Sequence, residues 1–184
     1  MKYCSHCGHT VRLVIPEGDD RPRHVCHSCS TIHYQNPRIV AGTLTVSGSR
    51  VLLCRRAISP RQGYWTLPAG FMENGETTSQ AAARETLEEA CAKARLHGLY
   101  TLINLPHINQ VFMIFRADLV GDFAPGPESL EVGLFEEHEI PWDQLAFPTI
   151  ERTLRHFYSD RVEGDFPLHL SDIVPDRERH SGAG

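Results

Sequence analysis

The stretch Gly70–Ala92, GFMENGETTSQAAARETLEEACA, is the most informative part of this sequence. Its second half predicts a helix that begins near Thr77, because threonine and serine side chains can cap a first turn. At about 100° per residue, Glu85, Glu88 and Glu89 share one side of that helix. The opposite side is expected to pack against a core and carries Ala83, Leu87, Ala90 and Ala94. Close carboxylates repel one another unless a cation lies among them, and hard divalent cations such as Mg²⁺ prefer oxygen ligands.

An ordinary solvated acidic face is the alternative interpretation of these carboxylates. Glu89 has Lys93 four residues further on, and Arg84 precedes Glu88 by four, so surface ion pairs are available on a helix. The glycine-containing loop that precedes the helix favours a binding site over a solvated face.

Six residues of the stretch have the spacing of a known signature, and this pattern resembles that of the Nudix hydrolases. The six are Gly70, Glu76, Arg84, Glu85, Glu88 and Glu89. The pattern differs at Thr86, where an aliphatic residue is usual, and at Cys91, where the final glycine is usual, while Ala92 is a small closing residue. The resemblance implies an α/β fold, an α/β/α sandwich with a mixed sheet, over residues 37–160.

The resemblance also implies a metal-dependent hydrolase that binds Mg²⁺ or Mn²⁺. The implied metal ligands are Glu85, Glu88, Glu89 and the carbonyl oxygen of Ala69. Glu76 and Arg84 would form a supporting ion pair, and Gly70 would allow the tight turn before the helix. Such a site neutralises a pyrophosphate and activates water, so we expect cleavage of a nucleoside diphosphate linked to another moiety.

The general base is expected outside the motif. Glu131 is the first candidate and Glu128 the second, because an acidic loop could move over the metal ions; Glu88 is a further catalytic candidate. The residues expected to contact substrate are Arg55, Arg56, Phe71 and Glu128. Tyr64 and Trp65 are further stacking candidates, although an aromatic residue beside a strand is more often part of the core.

The substrate class rests on short strings that follow the motif. The string PGPES at Pro125–Ser129, followed by Glu131, resembles the subgroup of ADP-ribose and FAD pyrophosphatases. The string NLPHINQ, residues 104–110, departs from the one that marks NADH pyrophosphatases. ADP-ribose or FAD is therefore the expected substrate. The alternatives are an NADH pyrophosphatase or NAD-cap-removing enzyme, and a non-catalytic zinc-ribbon module that binds RNA or protein.

Four of the six cysteines form two Cys-x-x-Cys pairs, and these are Cys4, Cys7, Cys26 and Cys29. Such pairs in a reducing compartment predict one tetrahedral Zn²⁺, so residues 1–34 are expected to be a zinc ribbon. The resemblance extends to this arrangement, since a subgroup that includes NADH pyrophosphatases carries such a ribbon. Two disulfides or a redox dithiol are the alternative. Cys54 and Cys91 are expected to be structural thiols.

Composition favours one medium-sized domain with a small appendage. The chain has 184 residues, 41% of them hydrophobic, and a formal net charge of −5 from 23 acidic and 18 basic residues. The negative balance argues against a broad electrostatic contact with nucleic acid. The resemblance implies a nucleotide small molecule as the partner, and a homodimer or an RNA contact through the ribbon stays open.

The sequence has no apolar run of about 20 residues and no signal-peptide pattern, so we expect a cytoplasmic protein without a membrane segment. Strands are predicted at residues 38–46, 50–56, 99–105, 110–119 and 130–135. The motif helix is expected to continue to about Leu96, and a second helix is predicted at 148–158. Residues 161–184 are expected to form a tail, disordered from Pro175 onwards.

Overall fold

The computed structural model describes residues 1–175 and divides the chain into two compact units, Met1–Asn36 and Pro37–Gly184. The first unit is an antiparallel sheet of three short strands in the order β1–β2–β3. These strands are β1 Val11–Val14, β2 Arg23–Cys26 and β3 Ile32–His33.

The second unit is built on one eight-stranded sheet. Its strands are β4 Arg38–Ser47, β5 Arg50–Arg56, β6 Trp65–Thr66, β7 Ala69–Phe71, β8 Lys93–Leu105, β9 Gln110–Val120, β10 Ser129–Phe135 and β11 His169–Asp172. The main order is β10–β5–β4–β9–β8–β11, with β6 beside β5 and β7 beside β4. The sheet is mixed, because β4 with β9 and β8 with β11 are parallel while the other pairs are antiparallel.

Two helices cover the sheet, α1 Thr78–Ala90 and α2 Pro148–Glu163. On one face, Ala81 and Ala82 of α1 pack with Phe115 of β9. On the other face, the buried core includes Leu44, Ile114, Ile150 and Leu154. The predicted α/β/α sandwich with a mixed sheet is therefore confirmed.

The N-terminus of α1 is where the sequence predicts it, but its C-terminus is not. Thr77 caps the helix, since its side chain accepts a hydrogen bond from the Gln80 N–H while the Gln80 side chain accepts one from the Thr77 N–H. The expected continuation to Leu96 is wrong. Cys91 adopts a left-handed conformation with φ 47° and ψ 25°, which ends the helix as glycine usually does, and β8 begins two residues later.

The buried face of α1 is also different from the expected one. Leu87 is 51% exposed, whereas Glu85 and Glu89 are only 9% and 7% exposed. The helix packs on the sheet through small residues, so the carboxylates beside these residues are carried inward and Leu87 is carried outward. The prediction that the carboxylate side faces away from the core is therefore wrong for two of the three glutamates.

A buried threonine explains one departure from the family pattern. The Thr86 hydroxyl lies 2.6 Å from that of Thr43, which in turn lies 2.7 Å from that of Thr45. Thr86 also donates to the carbonyl of Ala82 at 2.8 Å. These contacts satisfy hydroxyl groups that would otherwise be costly to bury, so α1 is joined to β4 by polar contacts here.

The second unit continues past the expected boundary at residue 160. Helix α2 extends to Glu163, and β11 adds a parallel strand beside β8. Asp160 accepts a hydrogen bond from Tyr100 at 2.7 Å and lies 2.7 Å from His169 Nε2, so one carboxylate connects β8, α2 and β11. The expected disorder beyond Pro175 concerns residues 176–184, which lie outside the described part of the chain.

In residues 1–175, no helix has both the length and the apolar character needed to cross a membrane.

Candidate active site and zinc centre

The turn between β6 and α1 lies directly against the two buried glutamates. The backbone N–H of Ala69 donates a hydrogen bond of 3.3 Å to Glu89 Oε2. Gly70 lies so close to the Glu85 carboxylate that an added Cβ would overlap it. A side chain here would displace the Glu85 carboxylate, so glycine allows this close approach, and the strand β7 brings the Ala69–Gly70 backbone to the carboxylates.

Arg84 is the cation that lies among the acidic residues of the motif. Its guanidinium makes two hydrogen bonds to Glu76, of 3.0 and 2.8 Å, and donates to the carbonyl of Phe71 at 3.1 Å. It also binds Glu85 at 2.7 Å and Glu88 at 3.0 Å. The structure thus brings Glu76 and Arg84 together and ties the loop before α1 to the helix.

The local environment shifts the pKa values of the motif glutamates in different directions. Burial, together with the charge of Glu85, raises the pKa of Glu89 to about 8. Burial also raises the pKa of Glu85, against the hydrogen bond from Arg84. By contrast, hydrogen bonds from Arg84 lower the pKa of Glu76 to about 2. Buried carboxylates with raised pKa values gain most from a nearby cation, because the cation favours their charged form.

The two candidates for the general base differ in position. Glu131 lies on β10, not in a loop as expected, and its Oε2 lies 3.7 Å from Arg55 Nη1 with both side chains exposed. Glu128 lies in the preceding loop, and its charge contributes to the raised pKa values of Glu85 and Glu89. Glu128 is therefore the one whose carboxylate acts electrostatically on the buried pair.

The loop Gly121–Glu128 is fastened to the end of α1. The N–H of Ala124 donates to the carbonyl of Ala90 at 2.9 Å, and the N–H of Gly126 donates to that of Glu89 at 3.0 Å. A Cβ on Gly126 would overlap the carbonyl oxygen of Glu88. Sequence reasoning missed Gly126 as a site residue, although a glycine between two prolines is an unusual local signal.

The expected substrate-contacting residues surround the same end of the sheet, and two of them are held by backbone carbonyls. Arg55 Nε donates to Gly63 at 3.0 Å, and Arg56 Nε donates to Pro60 at 2.8 Å. The charge of Arg56 also acts to lower the pKa of Glu89.

The aromatic candidates Phe71 and Trp65 differ in solvent exposure. Phe71 is 45% exposed, and the Arg38 guanidinium lies 4.4 Å from its ring centroid. Trp65 is 8% exposed and packs edge-on against Phe135, with ring centroids 4.8 Å apart. Trp65 is therefore a core residue, and Phe71 is the one with a free surface.

Four cysteines meet in the first unit, and their sulfur atoms all lie within 4.8 Å of one another. The Cys4 and Cys29 sulfurs are 3.7 Å apart, and those of Cys7 and Cys26 are 3.4 Å apart. Zinc–thiolate bonds of about 2.3 Å in a tetrahedron place sulfurs about 3.8 Å apart, whereas a disulfide needs about 2.05 Å. The donor set therefore fits Zn²⁺, as the sequence predicts. Among the residues the structure describes, it is also the one group of three or more His, Cys, Asp or Glu side chains whose ligand atoms all lie within 4.8 Å of one another, so the carboxylates of Glu85, Glu88 and Glu89 do not form a group that compact.

Backbone and side-chain contacts support these sulfurs. The N–H groups of His6 and Ser28 point at Cys4 and Cys26, each at 3.4 Å. His33 Nε2 lies 3.2 Å from Cys4 Sγ, where a ring N–H can donate to a thiolate. Such outer contacts orient thiolate ligands.

The remaining cysteines are free thiols with different surroundings. Cys54 is buried on β5, and burial raises its pKa far above the ordinary value. Cys91 is exposed at the C-terminus of α1. The charge of Glu89 also acts to raise the pKa of Cys54, so this thiol is held in its neutral form. The structural roles expected for both cysteines stay predictions.

Two family models match this chain. One, described as Nudix N-terminal, matches residues 2–35, and the other, described as the NUDIX domain, matches residues 36–169. A solved structure described as a NUDIX hydrolase from Nitrosomonas europaea has a TM-score of 0.91 and 55% sequence identity, over 94% of this chain and 99% of that chain.

Two kinds of curated relative are similar to the chain. The NAD-capped RNA hydrolase NudC of Edwardsiella ictaluri is 31% identical over 166 residues, 88% of this chain and 60% of that protein. The ADP-ribose pyrophosphatase of Methanocaldococcus jannaschii is 27% identical over 121 residues, 62% of this chain and 69% of that protein. The chain thus spans about three fifths of the length of the NudC protein it matches. Because the NUDIX domain model covers residues 36–169, most of the chain, and the ribbon model covers residues 2–35, this chain belongs to the Nudix hydrolases with an N-terminal zinc ribbon, and the predicted Nudix class is confirmed at the level of the family.

Proposed function

We propose that this protein hydrolyses the pyrophosphate bond of a nucleoside diphosphate linked to another moiety, with ADP-ribose or FAD as the preferred class. The observation that carries the proposal is the pair of buried carboxylates, Glu85 and Glu89, beside strand β7. Burying two acids side by side is costly, and a divalent cation would compensate their charge.

The residues that would hold Mg²⁺ or Mn²⁺ are Glu85, Glu88, Glu89 and the carbonyl oxygen of Ala69. Such an ion supplies charge neutralisation of the pyrophosphate and a lowered pKa of the attacking water. Arg84 now binds both Glu85 and Glu88, so ion binding would compete with those two contacts, whereas its contacts to Glu76 and Phe71 can persist. Arg84 would thus keep the loop in place in both states.

The other residues act on the substrate. Arg55 and Arg56 would bind phosphate oxygens through their guanidinium groups, and the exposed ring of Phe71 would offer a surface for a base. Water attacks one phosphorus atom, the bond to the bridging oxygen breaks, and two phosphomonoesters leave. Glu128 is the better-supported acceptor for the proton of that water, because its charge reaches the buried pair and Glu131 is engaged by Arg55.

An NAD-capped RNA or NADH is the second candidate substrate. The specific observation in its favour is that the NudC match covers 88% of this chain, which is more than the ADP-ribose pyrophosphatase match covers. A non-catalytic module that binds RNA or protein is the candidate from another class, and the retained glutamates argue against it.

A substrate panel tests these candidates directly. The full-length protein is incubated with ADP-ribose, FAD, NADH, NAD and a 5′-NAD-capped RNA, with Mg²⁺ or Mn²⁺, and the products are separated by chromatography. The Glu89→Gln variant is the matched control, since it removes a ligand charge and keeps the shape. We expect the highest kcat/KM for ADP-ribose or FAD. A preference for the capped RNA would support the second candidate, and no turnover above the control for any substrate would refute hydrolysis.

A further inference from the structure

A cavity lies in the Nudix unit, away from the carboxylates of α1. It has a volume of about 700 Å³ and is bordered by the turn Ser47–Gly48–Ser49. Strand β4 pairs with Ala69 at Gly42 and reaches the cavity at Val46, four residues later. At about 3.3 Å per residue, the cavity begins about 13 Å from the β7 backbone that meets the buried glutamates.

The cavity also opens on the opposite face of the sheet. Its floor includes Arg116 and Asp118 of β9, and alternation along the strand puts them on the side of Ile114, which packs in the core shared with α2. Phe115, which lies between Ile114 and Arg116 in sequence, points to the other face and packs against α1. No residue of the proposed active site lines this cavity.

The lining has an excess of positive charge. Its charged members are Arg95, Arg116, Arg161 and Asp118, so three guanidinium groups and one carboxylate give a net of +2. The whole chain carries −5. A locally positive cavity attracts anions even in a protein with a negative net charge, because the nearest charges dominate the potential inside the cavity.

One of the three arginines is already neutralised. Arg95 Nη2 lies 2.8 Å from Asp118, and His97 Nε2 lies 3.0 Å from the same carboxylate. Hydrogen bonds from Arg95 and His97 lower the pKa of Asp118, so this carboxylate stays charged near neutral pH. Asp118 is thus fully engaged and cannot also compensate the other two arginines.

The other two arginines are positioned without a carboxylate partner. The guanidinium of Arg116 lies 4.3 Å from the ring centroid of Phe166, and Arg161 Nη1 donates to the carbonyl of Ser49 at 3.0 Å. Within residues 1–175, neither forms an ion pair at 4.0 Å or less. Each therefore keeps N–H donors available, and these contacts restrict the motion of its guanidinium group before any ligand arrives.

We propose that this cavity is an accessory binding site for a small phosphorylated molecule, with Arg116 and Arg161 as the phosphate-binding residues. Planar guanidinium groups match the oxygen geometry of phosphate, and the volume is that of a small-molecule site. The site is independent of the hydrolytic reaction, since it contains none of the carboxylates and lies on the other face of the sheet.

Calorimetric titration of the full-length protein tests this site, with inorganic phosphate, inorganic pyrophosphate and AMP as the probes and no added Mg²⁺ or Mn²⁺. The variants are Arg161→Gln, Arg116→Lys and the double change R116Q/R161Q. The matched control is Arg155→Gln, an exposed arginine of α2 outside the cavity. The Glu89→Gln variant shows whether a probe binds at the carboxylates of the proposed active site rather than in the cavity.

We expect the dissociation constant for pyrophosphate to rise at least threefold in R161Q and R116K and at least tenfold in the double variant. In R155Q and E89Q, this dissociation constant should stay within twofold of the wild-type value. Arg161 is exposed, so the R161Q variant should fold normally. This variant therefore still tests the site if a change at Arg116 disturbs its stacking on Phe166. The proposal is overturned if the wild type binds none of the probes at 10 mM, if R161Q binds as the wild type does, or if R155Q loses as much affinity as R161Q.

Discussion

Gly126 lies against the carbonyl oxygen of Glu88, so closely that any side chain at residue 126 would overlap it. The same residue donates its N–H to the carbonyl of Glu89 at 3.0 Å. The loop that carries Glu128 is therefore fastened to the helix that carries the motif. This contact links the two parts of the proposed site, although about 40 residues separate them in sequence.

Gly126→Ala should move that loop and lower activity. The added Cβ meets backbone atoms of α1, which cannot rotate away, so we expect a loss of kcat/KM of at least tenfold and a destabilisation of about 1–3 kcal/mol. Activity is measured with the preferred substrate of the panel, and stability by urea unfolding. Gly98→Ala is the matched control, because nothing lies within 4 Å of an added Cβ at that position. Equal effects of the two changes would contradict the close-contact argument.

The raised pKa of Glu89 predicts a stability that falls with pH. Below the ordinary carboxyl pKa, Glu89 is neutral in both the folded and the unfolded chain. Between that value and about 8, the folded protein keeps a proton that the unfolded chain has lost. The free energy of unfolding should therefore decrease as pH rises from 6 to 9 without added Mg²⁺ or Mn²⁺, by roughly a few kcal/mol, and Glu89→Gln should remove most of this slope.

Tryptophan fluorescence gives a clean measurement of that slope. Both tryptophans, Trp65 and Trp142, lie in the second unit, so urea unfolding followed by their emission excludes the ribbon. Glu163→Gln is the control, since Glu163 is exposed at the end of α2. A wild-type slope equal to that of E89Q would refute a raised pKa at Glu89.

The assignment of the general base predicts unequal effects of two conservative changes. Glu128→Gln should lower kcat by about 10²–10⁴-fold, because the water would lose its proton acceptor. Glu131→Gln should change kcat much less, since Glu131 is exposed and paired with Arg55. The measurement is kcat and KM separately for each variant as a function of pH. A larger loss of kcat in E131Q than in E128Q would assign the base to Glu131 instead.

The cysteine cluster predicts about one zinc ion per chain. Cys26→Ser should remove most of the zinc, because three thiolates bind far more weakly than four. Elemental analysis of the purified protein measures this, and Cys91→Ser is the control with one thiol fewer outside the cluster. Wild-type protein without zinc would instead favour a redox role for the two Cys-x-x-Cys pairs.

Much of the fold follows from local signals. The β-branched runs at residues 38–46 and 50–56 correspond to β4 and β5, and the Ser47–Gly48–Ser49 turn joins them as an antiparallel hairpin. The capping of α1 by Thr77 and the start of α2 at Pro148 are equally local. Signals of this kind act between neighbours in the chain, so they can be recognised without knowledge of the packing.

The end of α1 could not be predicted in the same way. Alanine, lysine and leucine at residues 92–96 all favour a helix, yet Lys93–Leu105 forms β8. The pairing of this segment with β9 supplies hydrogen bonds along its length, and Cys91 accepts a left-handed conformation that glycine would take more easily. Tertiary pairing here outweighs local propensity.

The sequence by itself determined the Nudix motif with its cluster of acidic residues, the two Cys-x-x-Cys pairs and most of the strands, because these depend on spacing along the chain. Only the tertiary structure decided that Glu85 and Glu89 are buried while Leu87 is exposed, that Gly126 packs on the end of α1, and that Arg116 and Arg161 line one cavity. Burial and charge proximity arise between residues far apart in sequence. For α1, burial depends on which side of the helix packs against the sheet, and helical periodicity alone does not predict that side.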